Sequence, residues 1–151
     1  MRIIKLALIS AVFFSVLITL FSLLFPSRVR ISKAIDITAD RQAILAQLSD
    51  TGNWKYWYPG ADSARILPEI RKSTDSSVVA ETRLEKGKKG VTGWNLYETP
   101  QPRTLTLQWF MDFHLRWYPW EKFSGLLLEK RYGPLMEKGL ENLKTLLEAN
   151  P

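Results

Sequence analysis

The sequence predicts an α+β fold in which a curved antiparallel sheet wraps around a long C-terminal helix, with one transmembrane helix in front. Three observations predict it. Residues 133–148 place Leu135, Met136, Leu140, Leu143, Leu146 and Leu147 at helical spacing, with charged residues on the opposite face. Several earlier segments alternate apolar and polar residues with period two and are separated by short turn signals. Residues 6–25 form an apolar run without a single charge.

The apolar run comes first in the chain. Twenty residues at about 1.5 Å each span roughly 30 Å, the thickness of a bilayer core. A cleaved signal peptide has a shorter apolar region that ends in small residues. This run ends in Leu23, Leu24 and Phe25, so an uncleaved single-pass anchor over residues 1–26 is expected, followed by one domain over residues 27–151. Arg2 and Lys5 precede the run, and Arg28, Arg30 and Lys33 follow it. The positive-inside rule therefore leans towards a cytoplasmic C-terminal domain.

Residues 29–37 alternate, with Val29, Ile31, Ile35 and Ile37 on one side, and read as a half-buried strand; Lys33 is the exception in the apolar row. Asp40 is placed to cap a short helix with its carboxylate, and Ile44, Leu45 and Leu48 give that helix a buried face. Asp50, Thr51 and Gly52 end it. Residues 53–60 then carry Trp54, Tyr56, Trp57 and Tyr58, which either plug one end of the core or rim a pocket mouth or membrane surface. Strands are expected at 65–72, 77–85, 91–98 and 103–115, which with the first makes about five in an antiparallel meander. The last of these has the clearest pattern: Leu105, Leu107, Trp109, Met111, Phe113, Leu115 and Trp117 share a face, and that row could floor a cavity. Residues 121–132 read as a second helix, after a break at Tyr118, Pro119 and Trp120.

The C-terminal helix is expected to begin at Gly133, with Pro134 in its first turn, where a missing N–H costs nothing. Gly139 lies beside its apolar stripe. A mid-helix glycine costs roughly 1 kcal/mol against alanine, and one beside an apolar face usually permits close approach of a backbone or a ligand.

Composition excludes more than it identifies. There is no Cys and one His, His114, so disulfides, thiolate metal sites and multi-histidine sites are ruled out. The net charge of +6 is scattered among acids, with Lys86, Lys88 and Lys89 the one tight group, in a glycine-lysine hairpin loop. No nucleic-acid recognition motif accompanies it, so nucleic acid is not an expected partner; attraction to anionic lipid headgroups suits the excess better.

The order of strand, short helix, meander and long helix, together with particular phrases, resembles the SRPBCC superfamily: the START-like, helix-grip proteins often labelled polyketide cyclase/dehydrase. The phrases are Ile35-Asp36-Ile37-Thr38-Ala39, then Leu48-Ser49-Asp50 leading to Asn53-Trp54 and Trp57, and at the end Gly133-Pro134, Glu137-Lys138-Gly139-Leu140 and Asn142-Leu143-Lys144. The similarity covers roughly residues 29–148. A membrane segment directly before the domain looks like a common bacterial variety of the family. The resemblance implies a hydrophobic cavity between sheet and helix, bounded here by fewer strands than the usual six or seven. It implies no universal catalytic set, since many members only bind or carry hydrophobic ligands.

The residues leave three functions open. The leading expectation is binding of a hydrophobic small molecule or lipid, with Trp94, Trp109, Met111, Phe113, Met136, Gly139, Leu140 and Leu143 as lining residues and no cofactor. The second is a cyclase-like enzyme using Asp112 or His114, the one conceivable acid–base group; their parity turns them away from the core, where a cross-strand charge ladder is the simpler account. The third is a filled-core scaffold acting through a protein partner. The stretch of residues 116–123 joins aromatic and basic residues. With Leu126 to Leu128 it either docks on the bilayer or packs as a lid over the core.

Overall fold

A computed structural model describes residues 2–61, 68–83 and 89–149. In chain order these form helix α1 (Arg2–Leu23), strand β1 (Arg28–Thr38), helix α2 (Arg41–Ser49), a 3-10 turn (Asn53–Tyr56), strands β2 (Glu69–Ser73), β3 (Ser77–Arg83), β4 (Lys89–Glu98) and β5 (Thr104–His114), and helices α3 (Pro119–Gly125) and α4 (Leu128–Glu148). The expected architecture is present: one curved five-stranded antiparallel sheet, a long C-terminal helix and an apolar N-terminal helix.

The sheet order is β1-β5-β4-β3-β2. Three neighbours arise from consecutive hairpins; the fourth brings the first strand beside the last, with Ile31 opposite Met111 and Ile35 opposite Leu107. This register puts the odd residues of β1 and β5 and the even residues of β3 and β4 on one face. Trp94 sits between Val78 and Trp109, and Leu96 opposes Leu107. The alternation of period two thus becomes a continuous apolar floor.

Helix α4 lies over that floor, mainly along β1, and also touches β5 and the 3-10 turn. Met136, Gly139, Leu140, Leu143 and Leu147 are buried in the contact. Each large side chain so buried contributes about 1.5–3 kcal/mol. Polar contacts fix the helix lengthwise. Lys33, the exception in the apolar row of β1, reaches up to Glu137 at 2.9 Å and Glu129 at 3.6 Å. The hydrogen bond that Lys33 donates to Glu137 raises its ammonium above the ordinary lysine range. At the far end Lys144 Nζ donates to the Asp36 carbonyl at 2.8 Å, and Thr38 N donates to Glu148 Oε1 at 3.0 Å.

Several boundaries differ from expectation. Helix α4 starts at Leu128, so Pro134 is inside it rather than in its first turn. A proline there forfeits one helical hydrogen bond, but Leu128, Tyr132 and Leu135 pack against the core and hold the extra turns. The separate helix expected over residues 121–132 is divided between α3 and α4, and Pro119 is the first residue of α3 rather than a breaker. Asp40 precedes α2, yet its side chain makes no capping bond; its backbone carbonyl accepts from Ile44 N at 3.1 Å. Strand β5 begins after Arg103, whose φ of 60° belongs to the turn, and ends at His114, which leaves Trp117 off the apolar row. Most of the glycine-lysine loop and the start of the strand expected at 65–72 lie outside the described residues.

At Gly139, α4 packs tightly against the Trp109 ring and Pro59. A Cβ there would stand 2.6 Å from a ring carbon of Trp109 and 2.9 Å from Pro59 Cδ. Gly139→Ala gains about 1 kcal/mol of helix propensity but overpacks a site where distortion costs about 1–3 kcal/mol. A thermal melt is expected to show a midpoint lowered by a few degrees; a raised midpoint would mean the contact is slack.

Candidate functional site

The site is built where β4, β5 and α4 face the 3-10 turn. The expected lining residues come together there: Trp94, Trp109, Met111, Phe113, Met136, Leu140 and Leu143 belong to one buried cluster, with Gly139 at its centre. Trp54, Trp57 and Tyr58 enter the same cluster from the segment after α2, which settles the choice between plug and rim for these three, whereas Tyr56 points outward. The rings interlock: Trp54 to Trp94 is 5.1 Å between centroids, Trp57 to Trp94 5.8 Å, Trp94 to Trp109 5.4 Å and Tyr58 to Trp109 5.2 Å. Edge-to-face and offset pairs of this kind stabilise beyond their area, by about 0.5–1.5 kcal/mol each.

The four indoles differ in one respect. Trp54 Nε1 donates to the Leu48 carbonyl at 3.0 Å, and Trp109 Nε1 donates to Thr92 Oγ1 at 2.7 Å. Thr92 is itself fully buried, and its hydroxyl donates to the Phe110 carbonyl at 3.3 Å. Trp57 Nε1 and Trp94 Nε1, equally enclosed, have no acceptor. A buried donor left unmade costs about 1–3 kcal/mol. Here two of them stand among apolar rings. Tyr58 belongs to the same surroundings, and burial pushes its phenol up to about 12.

Asp112 and His114 stand on the opposite face of the sheet. Asp112 is held by Arg30, with Nε at 2.6 Å and Nη2 at 2.7 Å from its two oxygens. Arg30 lies 4.6 Å over the Phe110 ring, which rests on the bare backbone of Gly93. His114 is exposed and opposes Arg28 in the register. The two acid–base candidates therefore do not meet the aromatic cluster, and the charge-ladder account describes Asp112. No group of three potential metal ligands occurs among the described residues.

Sequence reasoning missed Thr92 and left the role of Trp54, Trp57 and Tyr58 open. The signal for Thr92 was its place two residues before Trp94 in the inward row; recognising it required the register. Pro59, against Gly139, carried no signal.

Comparison with known proteins bears on the fold. No protein-family model matches the sequence, and no curated protein is significantly similar to it. Solved structures do match. A START superfamily protein from Mycobacterium smegmatis superposes with a TM-score of 0.60 at 14% identity, over 81% of this chain and 99% of its own. The di-domain ARO/CYC StfQ from the steffimycin biosynthetic pathway gives 0.62 at 11% identity, over 81% of this chain; the chain spans about half of StfQ, 51%. CalU16 from Micromonospora echinospora gives 0.55 at 13%, over 81% and 76% of the two chains. At such identities the likeness is one of fold, and the fold is START-like helix-grip.

Two measurements check the site. Thr92→Val removes the acceptor of Trp109 and is expected to cost about 1–3 kcal/mol in a denaturant melt, a loss larger than any from Thr→Val on the outer face. The raised pKa of Tyr58 means that its neutral form is favoured by the fold, so this part of the stability is present below about pH 10 and is lost as pH rises towards about 12. A melt series from pH 9 to 12 should fall more steeply for the native chain than for Tyr58→Phe.

Proposed function

We propose that the chain is a membrane-anchored helix-grip domain that binds, without transforming it, an apolar small molecule or lipid bearing an acceptor oxygen. The START-like fold is one generally used for hydrophobic small molecules. The observation that carries the reading is the pair of enclosed indole donors on Trp57 and Trp94. A carbonyl or ether oxygen set among the rings would satisfy them, while the ligand's apolar body would replace protein contacts with α4. Trp109, Met111, Phe113, Met136, Gly139, Leu140 and Leu143 would line the apolar part. Helix α1, long and apolar enough to cross a membrane, would supply the anchor and place the domain beside a source of such molecules. The basic residues Arg28, Arg30 and Lys33 favour the cytoplasmic side.

The close contact between Trp109 and the bare backbone of Gly139 favours a second reading, a filled core that acts as a scaffold. The two differ in what the orphan donors are for. The full chain in mild detergent would be titrated with fluorenone and with fluorene, the same ring system with and without a carbonyl. The binding reading expects fluorenone to be preferred by roughly tenfold, the equivalent of about 1.4 kcal/mol, and the preference to vanish in Trp94→Phe. Absence of uptake of either compound, together with Trp94→Phe raising stability, would leave the scaffold.

A further inference from the structure

We propose that Trp117, Trp120, Phe123, Leu126 and Leu127 form a hook that embeds in the same bilayer leaflet from which α1 emerges towards the domain. The proposal rests on the reading of α1 as a membrane anchor and adds a second membrane contact, made by the folded domain itself.

The hook is exposed and apolar. Trp117 is 58% accessible, Trp120 68%, Phe123 41%, Leu126 63% and Leu127 64%. They do not close over the core, so the lid reading of this stretch does not describe it. An apolar patch of this extent marks an interaction surface.

It is also rigidly placed. Lys122 is buried, and its ammonium donates to the Phe25 carbonyl at 2.9 Å and to Ser27 Oγ at 2.7 Å, both in the link between α1 and β1. Phe123 meets Phe25 edge to face at 5.6 Å. Gly125 sits against the Leu115 side chain, which ties the end of α3 to the sheet. Tyr118 stacks on Trp120 at 4.9 Å. The one acid of the segment, Glu121, is engaged, accepting from Arg116 N at 2.8 Å.

Depth names the occupant. Trp117, Tyr118, Pro119 and Trp120 face Ala11, Phe14, Ser15, Ile18 and Thr19 of α1 across a groove of about 430 Å³. Ile18 and Ala11 precede Leu23 by five and twelve residues, so they lie roughly 8 and 18 Å back along the helix. A bilayer leaflet's hydrocarbon is about 15 Å deep. The aromatic residues therefore stand alongside the apolar helix, not beyond its end, and a bilayer that covers α1 to Leu23 must cover them too. Opposite Ile18 and Ala11 they lie among the acyl chains of that leaflet, below the headgroup border. Two hydroxyls in this part of α1 are satisfied within the helix: Thr19 Oγ1 donates to the Ser15 carbonyl and Ser22 Oγ to the Thr19 carbonyl.

Tryptophan fluorescence tests this directly, because the other four indoles are buried in the core. The full chain would be reconstituted in phosphatidylcholine vesicles, plain or brominated near the middle of one acyl chain. Bromine is expected to remove the emission of Trp117 and Trp120, and the loss should disappear in Trp117→Phe/Trp120→Phe. Adding Ile9→Trp to that double variant gives a reporter on α1. A quenched reporter with equal quenching in the native chain and the double variant would overturn the hook and leave the anchor; this is also the result expected if a second copy or another protein covers the patch. An unquenched reporter would overturn the anchor and the hook together.

Discussion

The seating of α4 on the sheet depends on a missing side chain. At Gly139 the helix backbone comes within contact distance of the Trp109 ring and of Pro59. Everything around that point is arranged to use the closeness. Trp109 lies flat enough to meet Tyr58 and Trp94 as well as the helix, and Pro59 extends the aromatic segment under the same turn of α4. Helix propensity is given up at one residue where the Trp109 ring and Pro59 need the space. The long-range polar contacts at either end, Lys33 with Glu137 and Lys144 with the Asp36 carbonyl, then keep the helix from sliding off that register.

The core that results is apolar in shape but not in chemistry. Two of its indole donors are matched, one by a backbone carbonyl and one by Thr92, and two are not. Proteins leave few such groups unmade, because each costs a sizeable part of a marginal stability. The unmatched pair is adjacent, with Trp57 and Trp94 in edge-to-face contact.

Much of this was legible in the chain. The alternation of β5, with Phe110 the one buried apolar residue on its outer face, gave the inward row from Leu105 to Phe113 and turned Asp112 and His114 outward. Residues contributed by β4, β5 and α4 could be named for the same reason. The start of α4 was not legible: Gly133-Pro134 carries a start signal, and only tertiary packing of Leu128 and Tyr132 overrides it. Lys33 looked like a fault in an apolar row because its partners, Glu129 and Glu137, lie about a hundred residues away. Thr92 was hidden likewise, since a threonine in a strand declares a role only when the indole opposite is known.

The link between α1 and β1 is short and fully used. Leu23 ends the helix and Arg28 begins the strand; Phe25 and Ser27 between them hold Lys122, and the Ser27 carbonyl accepts from Leu115 N at 2.8 Å. Four residues extended reach at most about 14 Å, and these are not extended. On the proposed reading the domain has no tether on which to swing. It cannot ferry cargo between membranes or sample the aqueous volume; its exchange is confined to the patch of lipid beneath it. Its working variable is then the local two-dimensional concentration of a ligand, and its orientation to the membrane plane is a fixed part of its structure.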